Sequence, residues 1–212
     1  MKIKVRNKSW SEISAIPKPK HKKPARPSIT LKILIRILSI FDLVPVRFKY
    51  KKVGMDKLRR REPCLILMNH SGFIDLKIAS KMLFFRRYHI VATYDAFMGK
   101  PRLMRNIGCI PTQKFVTDLN LIRDINYAVK EKKSSILMFP EAGYSFDGKS
   151  VLLPDSLGWF VKKLGIPVVT IITSGAFARD PLYNGLQKRK VKASAEMKYL
   201  LSPEEASSLS PD

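Results

Sequence analysis

Hydrophobic and polar positions change period repeatedly along the chain. Phe48 and Tyr50 alternate with Lys49 and Lys51, the two-residue period of a half-exposed strand. Residues 64–68 (CLILM) are a short apolar run between polar flanks and predict a buried strand. Similar runs predict strands at 89–93, 109–112, 135–139 and 167–173. A last strand is predicted where Val191, Ala193, Ala195, Met197 and Tyr199 alternate with polar residues. Helical signals lie between them, at 75–85, 95–106, 119–132 and 155–164; Leu119, Ile122, Ile125 and Val129 share one face of the third. Strands alternating with helices predict an α/β fold, a layered mixed sheet flanked by helices. The tail after Pro203 is polar and reads as loose.

Residues 29–44 (ITLKILIRILSIFDLV) are the most apolar stretch. Lys32, Arg36 and Ser39 fall at i, i+4 and i+7, a polar stripe on a helix that is otherwise apolar. Pro45 ends it. The stretch falls short of the roughly 20 residues needed to cross a bilayer. A wide apolar face beside a basic stripe predicts an amphipathic helix lying in a membrane interface; packing on the protein's own core is the competing reading.

Charge sharpens this picture. The 212 residues carry 40 Lys or Arg against 17 Asp or Glu, a net +23. A chain this basic seeks a polyanion, either nucleic acid or an anionic membrane. Residues 1–28 hold nine of the basic residues and one acid, Glu12, and are interrupted by Pro17, Pro19, Pro24 and Pro27. They read as an extended, mobile arm, in which His21 is solvent-exposed and Trp10 is a candidate interface anchor. No apolar region and no cleavage site follow the first charges, so the arm does not read as a secretory signal. The run Lys57-Leu58-Arg59-Arg60-Arg61 is a solvated face or a further contact for anionic headgroups. Two cysteines, Cys64 and Cys109, exclude a disulfide framework and most zinc sites, and suit a reduced compartment. The organisation expected is an arm (1–28), an interfacial helix (29–46), a catalytic-type domain (47–203) and a polar tail (204–212).

One constellation carries chemistry. CLILM runs directly into Asn69-His70-Ser71-Gly72-Phe73-Ile74-Asp75. A histidine at the exit of a buried strand sits at the sheet edge where α/β proteins hold ligands. A turn through Ser71-Gly72 can return the Asp75 carboxylate to the imidazole, fixing its tautomer and leaving the other nitrogen as a general base. The bland alternative is a helix N-terminus with a favourably placed Asp75.

Three further segments turn this pair into a resemblance. The pattern N-H-x-x-x-x-D is met by Asn69, His70 and Asp75. A G-x-I-x-I-x-R block resembles Gly108-Cys109-Ile110-Pro111-Thr112-Gln113-Lys114. An F-P-E-G-T-R-S block resembles Phe139-Pro140-Glu141-Ala142-Gly143-Tyr144-Ser145, and an apolar strand around a proline resembles Ile166-Pro167-Val168-Val169. In order and rough spacing these four blocks resemble the glycerolipid acyltransferase family, the group of the 1-acylglycerol-3-phosphate O-acyltransferases.

The resemblance implies a mechanism and a setting. His70 takes a proton from an acceptor hydroxyl, Asp75 orients the histidine, and the hydroxyl attacks an acyl thioester without a covalent acyl-enzyme. Asn69, Lys114, Glu141 and Gly143 are implied on the substrate side: Glu141 holding the glycerol acceptor, Lys114 facing its phosphate, Gly143 allowing close backbone approach. Pro167 shapes the strand beside the pocket. No cofactor is implied, because acyl-CoA or acyl-carrier protein is the donor substrate. No metal is indicated either: His21, His70 and His89 are scattered and the carboxylates lack ligand spacing. Nucleic acid is not an expected partner, since zinc spacing, recognition-helix and RNA-binding aromatic motifs are missing. The expected partners are a lysophospholipid and an anionic membrane surface, and the expected location is peripheral, on the cytoplasmic face. Two departures bear on the acceptor. Tyr144 stands where the third block has Arg, and Thr93 stands where many members have a lysine. Either Lys114 with Lys100, Arg102 or Arg105 still holds the phosphate of 1-acylglycerol-3-phosphate, or the acceptor is a lysolipid without a terminal phosphomonoester.

Overall fold

The structure is a computed structural model that describes residues 9, 11–12, 15, 21–113, 118–145, 147–149, 152–179, 187 and 189–210. Trp10 and Lys114 lie outside the described residues.

Seven strands form one mixed sheet: β1 (Lys49–Val53), β2 (Leu65–Met68), β3 (Tyr88–Thr93), β4 (Cys109–Thr112), β5 (Ser135–Met138), β6 (Val168–Ser174) and β7 (Ser194–Leu201). Their order is β1-β7-β6-β2-β5-β3-β4. All neighbouring pairs are parallel except β6–β7. β2 lies at the centre with all four side chains buried, as an uninterrupted apolar run predicts. Ile66 and Met68 enter one core with Ile74, Ile78 and Met82 of helix α2 (Ile74–Met82). Leu65 and Leu67 enter the other, with Ile125 and Val129 of α4 (Leu119–Lys130) and Val161 of α5 (Ser156–Leu164). Burying such side chains contributes about 1.5–3 kcal/mol each, so the strand that carries the candidate histidine is also the best anchored. Edge strand β1 reads KYKKV and is exposed throughout; its lysines discourage pairing with another chain.

The predicted helix at 95–106 is divided. A 3-10 turn (Tyr94–Phe97) precedes α3 (Pro101–Ile107), with Pro101 at the helix start, where its missing N–H costs nothing. The loose tail is corrected as well. Residues Pro203–Ser208 form α6, closed by a reciprocal cap in which Ser202 and Glu205 each accept the other's backbone N–H, and Ala206 is buried.

Residues 21–28 depart from the expected extended, mobile arm. They form a strap without regular structure, bonded along its length to α3, β3 and α4. His21 Nε2 lies 3.0 Å from Asp124 Oδ1, so His21 is half-exposed and paired rather than free. Arg105 donates to the carbonyls of Lys22 and Lys23 at 3.0 and 2.6 Å. Buried His89 donates from Nε2 to the Ala25 carbonyl at 2.9 Å, and its Nδ1 accepts from Ser134 Oγ at 2.9 Å. Ser28 N–H reaches the Asn106 carbonyl at 2.7 Å. Pro27 packs on Gly108, which is left-handed (φ +101°); a Cβ there would lie 2.6 Å from Pro27 Cγ. Glycine in the second sequence block therefore meets both a backbone and a packing demand.

Helix α1 (Ile29–Leu43) is inverted relative to a helix on a soluble core. Its polar stripe faces the protein. Lys32 donates to the Arg86 carbonyl and lies 5.8 Å from the Phe84 ring; burial lowers its ammonium pKa. Arg36 lies 5.6 Å from the same ring. Asp42 pairs with Lys77 of α2 and lies 3.6 Å from Arg179. Ile33, Leu34, Ile37, Leu38, Ile40 and Phe41 face outward, Phe41 at 71% exposure, and Phe85 nearby in sequence to α2 is 82% exposed. The competing expectation, that the apolar face packs on the protein's own core, is thus corrected. Lys32 and Arg36 hold the helix to the protein, because aromatic faces and a backbone carbonyl offer partners there. Among the described residues, no helix is long and apolar enough to cross a membrane.

Burial lowers the pKa of His89, so the folded state favours the neutral ring that the Ser134 and Ala25 bonds use. That stability is present above the ordinary value of 6.5 and is lost as pH falls. His89→Gln keeps an acceptor and a donor without a titrating ring. Thermal unfolding of the wild type is expected to fall more steeply between about pH 7 and pH 5 than that of His89→Gln; parallel curves would remove His89 from the acid response.

Candidate active site

The site forms where β2 ends. The β2–β6 ladder closes at Met68 opposite Ile171. Asn69 then replaces backbone pairing with its side chain: Oδ1 accepts from Thr173 N–H at 2.8 Å, and Nδ2 donates to the Thr173 carbonyl at 3.1 Å. The backbone of the next residue is released to turn.

That turn returns Asp75 to His70. The His70 Nδ1 to Asp75 Oδ2 distance is 2.9 Å. The same oxygen accepts the N–H groups of Ser71 and of Gly72, the latter at 2.9 Å. Asp75 is fully buried in the first turn of α2, where the helix dipole favours a negative charge. An oxygen that already accepts two amide protons accepts the third from Nδ1–H, which leaves Nε2 unprotonated in the neutral ring.

The loop after β5 holds the histidine from other directions. Glu141 Oε2 accepts His70 N–H at 3.1 Å, and Ser145 N–H donates to the His70 carbonyl at 2.7 Å. Phe139 stacks on the imidazole with centroids 4.0 Å apart, and the Tyr144 ring lies 4.2 Å away, tilted by 42°. Phe73 is 6.1 Å from Tyr144. The ring is thus packed against two aromatic side chains, with 19% of the His70 side chain exposed. Ala142 occupies the glycine position of the third block and is left-handed (φ +51°), a conformation that costs a residue with a Cβ about 1–2 kcal/mol. Gly143 is half-buried and has no positive φ; a Cβ there would meet only the Glu141 carbonyl, at 3.8 Å.

Of the residues singled out from sequence, the structure brings His70, Asp75, Glu141 and Tyr144 together directly. It gives Asn69 a different neighbour from the one implied, since its amide is engaged by β6. Thr93 ends β3 on the same carboxyl edge. Arg105 does not stand ready for a phosphate, because its guanidinium binds the strap. Lys100 and Arg102 are exposed. The thiols of Cys64 and Cys109 are buried and pushed up by burial, Cys109 to about 12, so both are inert fillers at neutral pH. Sequence reasoning missed Thr173, whose partner lies 104 residues away.

The acyltransferase family model matches residues 49–174, more than half of the chain and the whole of the site just described. Among solved structures, the chain is similar to the 1-acyl-sn-glycerophosphate (LPA) acyltransferase PlsC from Thermotoga maritima, with a TM-score of 0.62 and 16% identity. The match covers 82% of this chain and 70% of that one. The likeness is one of fold: the same layered sheet flanked by helices. No curated protein matches the sequence.

Proposed function

The chain belongs to the acyltransferase family, and from that premise we propose that it moves a fatty acyl group from an acyl thioester to the free hydroxyl of 1-acylglycerol-3-phosphate, giving phosphatidic acid. The observation that carries this reading is the His70–Asp75 pair, with Nδ1 bound at 2.9 Å and Nε2 left as the basic atom. Nε2 takes the proton of the acceptor hydroxyl as its oxygen attacks the thioester carbonyl. The tetrahedral intermediate collapses, the C–S bond breaks, and the imidazolium returns the proton to the leaving thiolate. A new ester forms, and no acyl group is attached to the protein. Asp75 holds the ring and stabilises its transient positive charge. One oxygen of Glu141 is committed to His70 N–H; we assign its carboxylate a second contact, with the glycerol of the acceptor. Lys114, with exposed Lys100 and Arg102, is the cationic set proposed for the phosphate, and acyl-CoA or acyl-carrier protein is the proposed donor. Asn69 supports the site from behind, through β6, and Gly143 leaves the loop open toward the substrate side.

A second acceptor class has one observation in its favour. The Tyr144 ring lies against the base where the third block has a phosphate-seeking Arg. That substitution favours a lysolipid without a terminal phosphomonoester.

Acceptor and product are lipids, and α1 supports an enzyme that works at a membrane surface. Its apolar face is turned away from the protein and its charges toward it, which suits hydrocarbon outside the helix rather than water. We assign the partner as an anionic leaflet, approached peripherally from the cytoplasmic face and attracted by the net +23.

Two experiments test these assignments. Purified protein is offered a labelled acyl thioester with lysophosphatidic acid, lysophosphatidylglycerol or lysophosphatidylcholine. Transfer to lysophosphatidic acid, lost by at least about a thousandfold in His70→Ala, is the expected result. Transfer by His70→Ala at near wild-type rate would sink the mechanism, and preference for another lysolipid would move the acceptor to the second class. In vesicle sedimentation at raised salt, Ile37→Glu/Phe41→Glu is expected to bind at least about tenfold more weakly than wild type, because each apolar side chain contributes about 1.5–3 kcal/mol when buried. Unchanged binding would take α1 out of the membrane contact.

A further inference from the structure

We propose that Thr173, near the end of β6, is a positioning residue for the general base. The inference rests on the proposed acyl transfer for its kinetic consequence, not for its geometry. Sequence gave the fourth block a packing role around Pro167, and nothing in its pattern marks Thr173 out.

Thr173 is the only partner found for the Asn69 side chain among the described residues, and it meets that side chain three times. Besides the two backbone bonds, Thr173 Oγ1 donates to Asn69 Oδ1 at 3.1 Å. Thr173 Oγ1 also lies 3.2 Å from Ser71 Oγ. The proton order is forced. Asn69 Oδ1 only accepts, so it takes the single hydroxyl proton of Thr173, and Ser71 must donate to Thr173 Oγ1. The chain of bonds therefore runs from Ser71 through Thr173 to Asn69 and clasps the two residues that flank His70. Both Ser71 and Thr173 are buried, so neither bond competes easily with water. The backbone N–H of Ser71 goes to Asp75 Oδ2, which joins this clasp to the carboxylate that binds the imidazole.

His70 is then located by two independent supports. Glu141 and Ser145 fix its backbone from the β5 side. Thr173 fixes its neighbours from the β6 side. Without the hydroxyl, the β5 support remains and the fold persists, but the loop from Asn69 to Gly72 gains freedom. An atomic displacement of about 1 Å at a reacting group costs up to roughly a hundredfold in rate. The effect falls on kcat, because Thr173 is assigned no contact with either substrate.

Three variants test this: Thr173→Val, which keeps shape and removes the hydroxyl; Thr173→Ser, which keeps the hydroxyl; and Ser71→Ala, which removes only the donor at the far end. Thr173→Val is expected to lose about ten- to a hundredfold in kcat, with both KM values within about twofold. Thr173→Ser is expected to recover to within about threefold of wild type, and Ser71→Ala to lose at least about threefold in kcat. A Thr173→Val enzyme with wild-type kcat, or a Thr173→Ser enzyme as impaired as Thr173→Val, would overturn the assignment. If Thr173→Val does not fold, Ser71→Ala decides: wild-type kcat there would also overturn it. The carbethoxylation rate of His70 by diethyl pyrocarbonate, read by mass spectrometry, needs no acyl transfer. It is expected to change at least about threefold in Thr173→Val and to be restored in Thr173→Ser. An unchanged rate in Thr173→Val contradicts the proposal even if wild type transfers no acyl group, a result that on its own would count against the reaction and not against the clasp.

Discussion

One buried oxygen organises this molecule's chemistry. Asp75 Oδ2 accepts His70 Nδ1–H and the backbone N–H groups of Ser71 and Gly72. A carboxylate that is fully buried is tolerated only when donors and a helix N-terminus replace the water it loses. Those donors come from the turn that carries the histidine. Oδ2 therefore cannot be satisfied unless the turn closes, and the turn cannot close without placing the imidazole on that oxygen. Stability of the β2–α2 junction and geometry of the base are one constraint. The fully buried β2 behind it and the Phe139 and Tyr144 rings packed against the imidazole remove the remaining freedom.

The second organising feature is the inside-out helix α1. Lys32, Arg36 and Asp42 point at the protein, where a carbonyl, aromatic faces and Lys77 receive them. Asp42 is tied to α2, the helix whose first turn carries Asp75. The element we assign to the lipid surface is thus joined rigidly to the element that orients the base. On the proposed function, docking at a lipid surface and alignment of the base are carried by adjacent helices.

Most of the framework was legible in the sequence because it is local. Strand and helix periods, the five-residue step from His70 to Asp75 and the aromatic-rich block at 139–145 each show within a few residues. What was missed depends on distance or on environment. Nothing local tells that Asn69 reaches Thr173, or that His21 reaches Asp124 across 103 residues. The strap at 21–28 has no periodicity, and it is held largely through its own backbone carbonyls, which any sequence offers, by Arg105 and His89. Amphipathicity gave α1 two faces but not the partners of its polar stripe, which the structure places against the protein. The capped helix at Pro203–Ser208 was readable: Ser202, Pro203 and Glu205 carry a helix-start signature that the polar composition of the tail obscured. Ala142 was also readable in principle, since a glycine position in the third block signals a left-handed residue.

The central claim is that Asp75 fixes the proton of His70 on Nδ1 and leaves Nε2 as the base. Nitrogen NMR of the ring in the folded, ligand-free protein at a pH where the imidazole is neutral tests it without any assumption about substrate. The account predicts the Nδ1–H tautomer in wild type, with Nε2 carrying the shift of an unprotonated ring nitrogen. A ring protonated on Nε2 would contradict it, because the carboxylate would then face a lone pair and the atom turned toward the acceptor would have no capacity to take its proton.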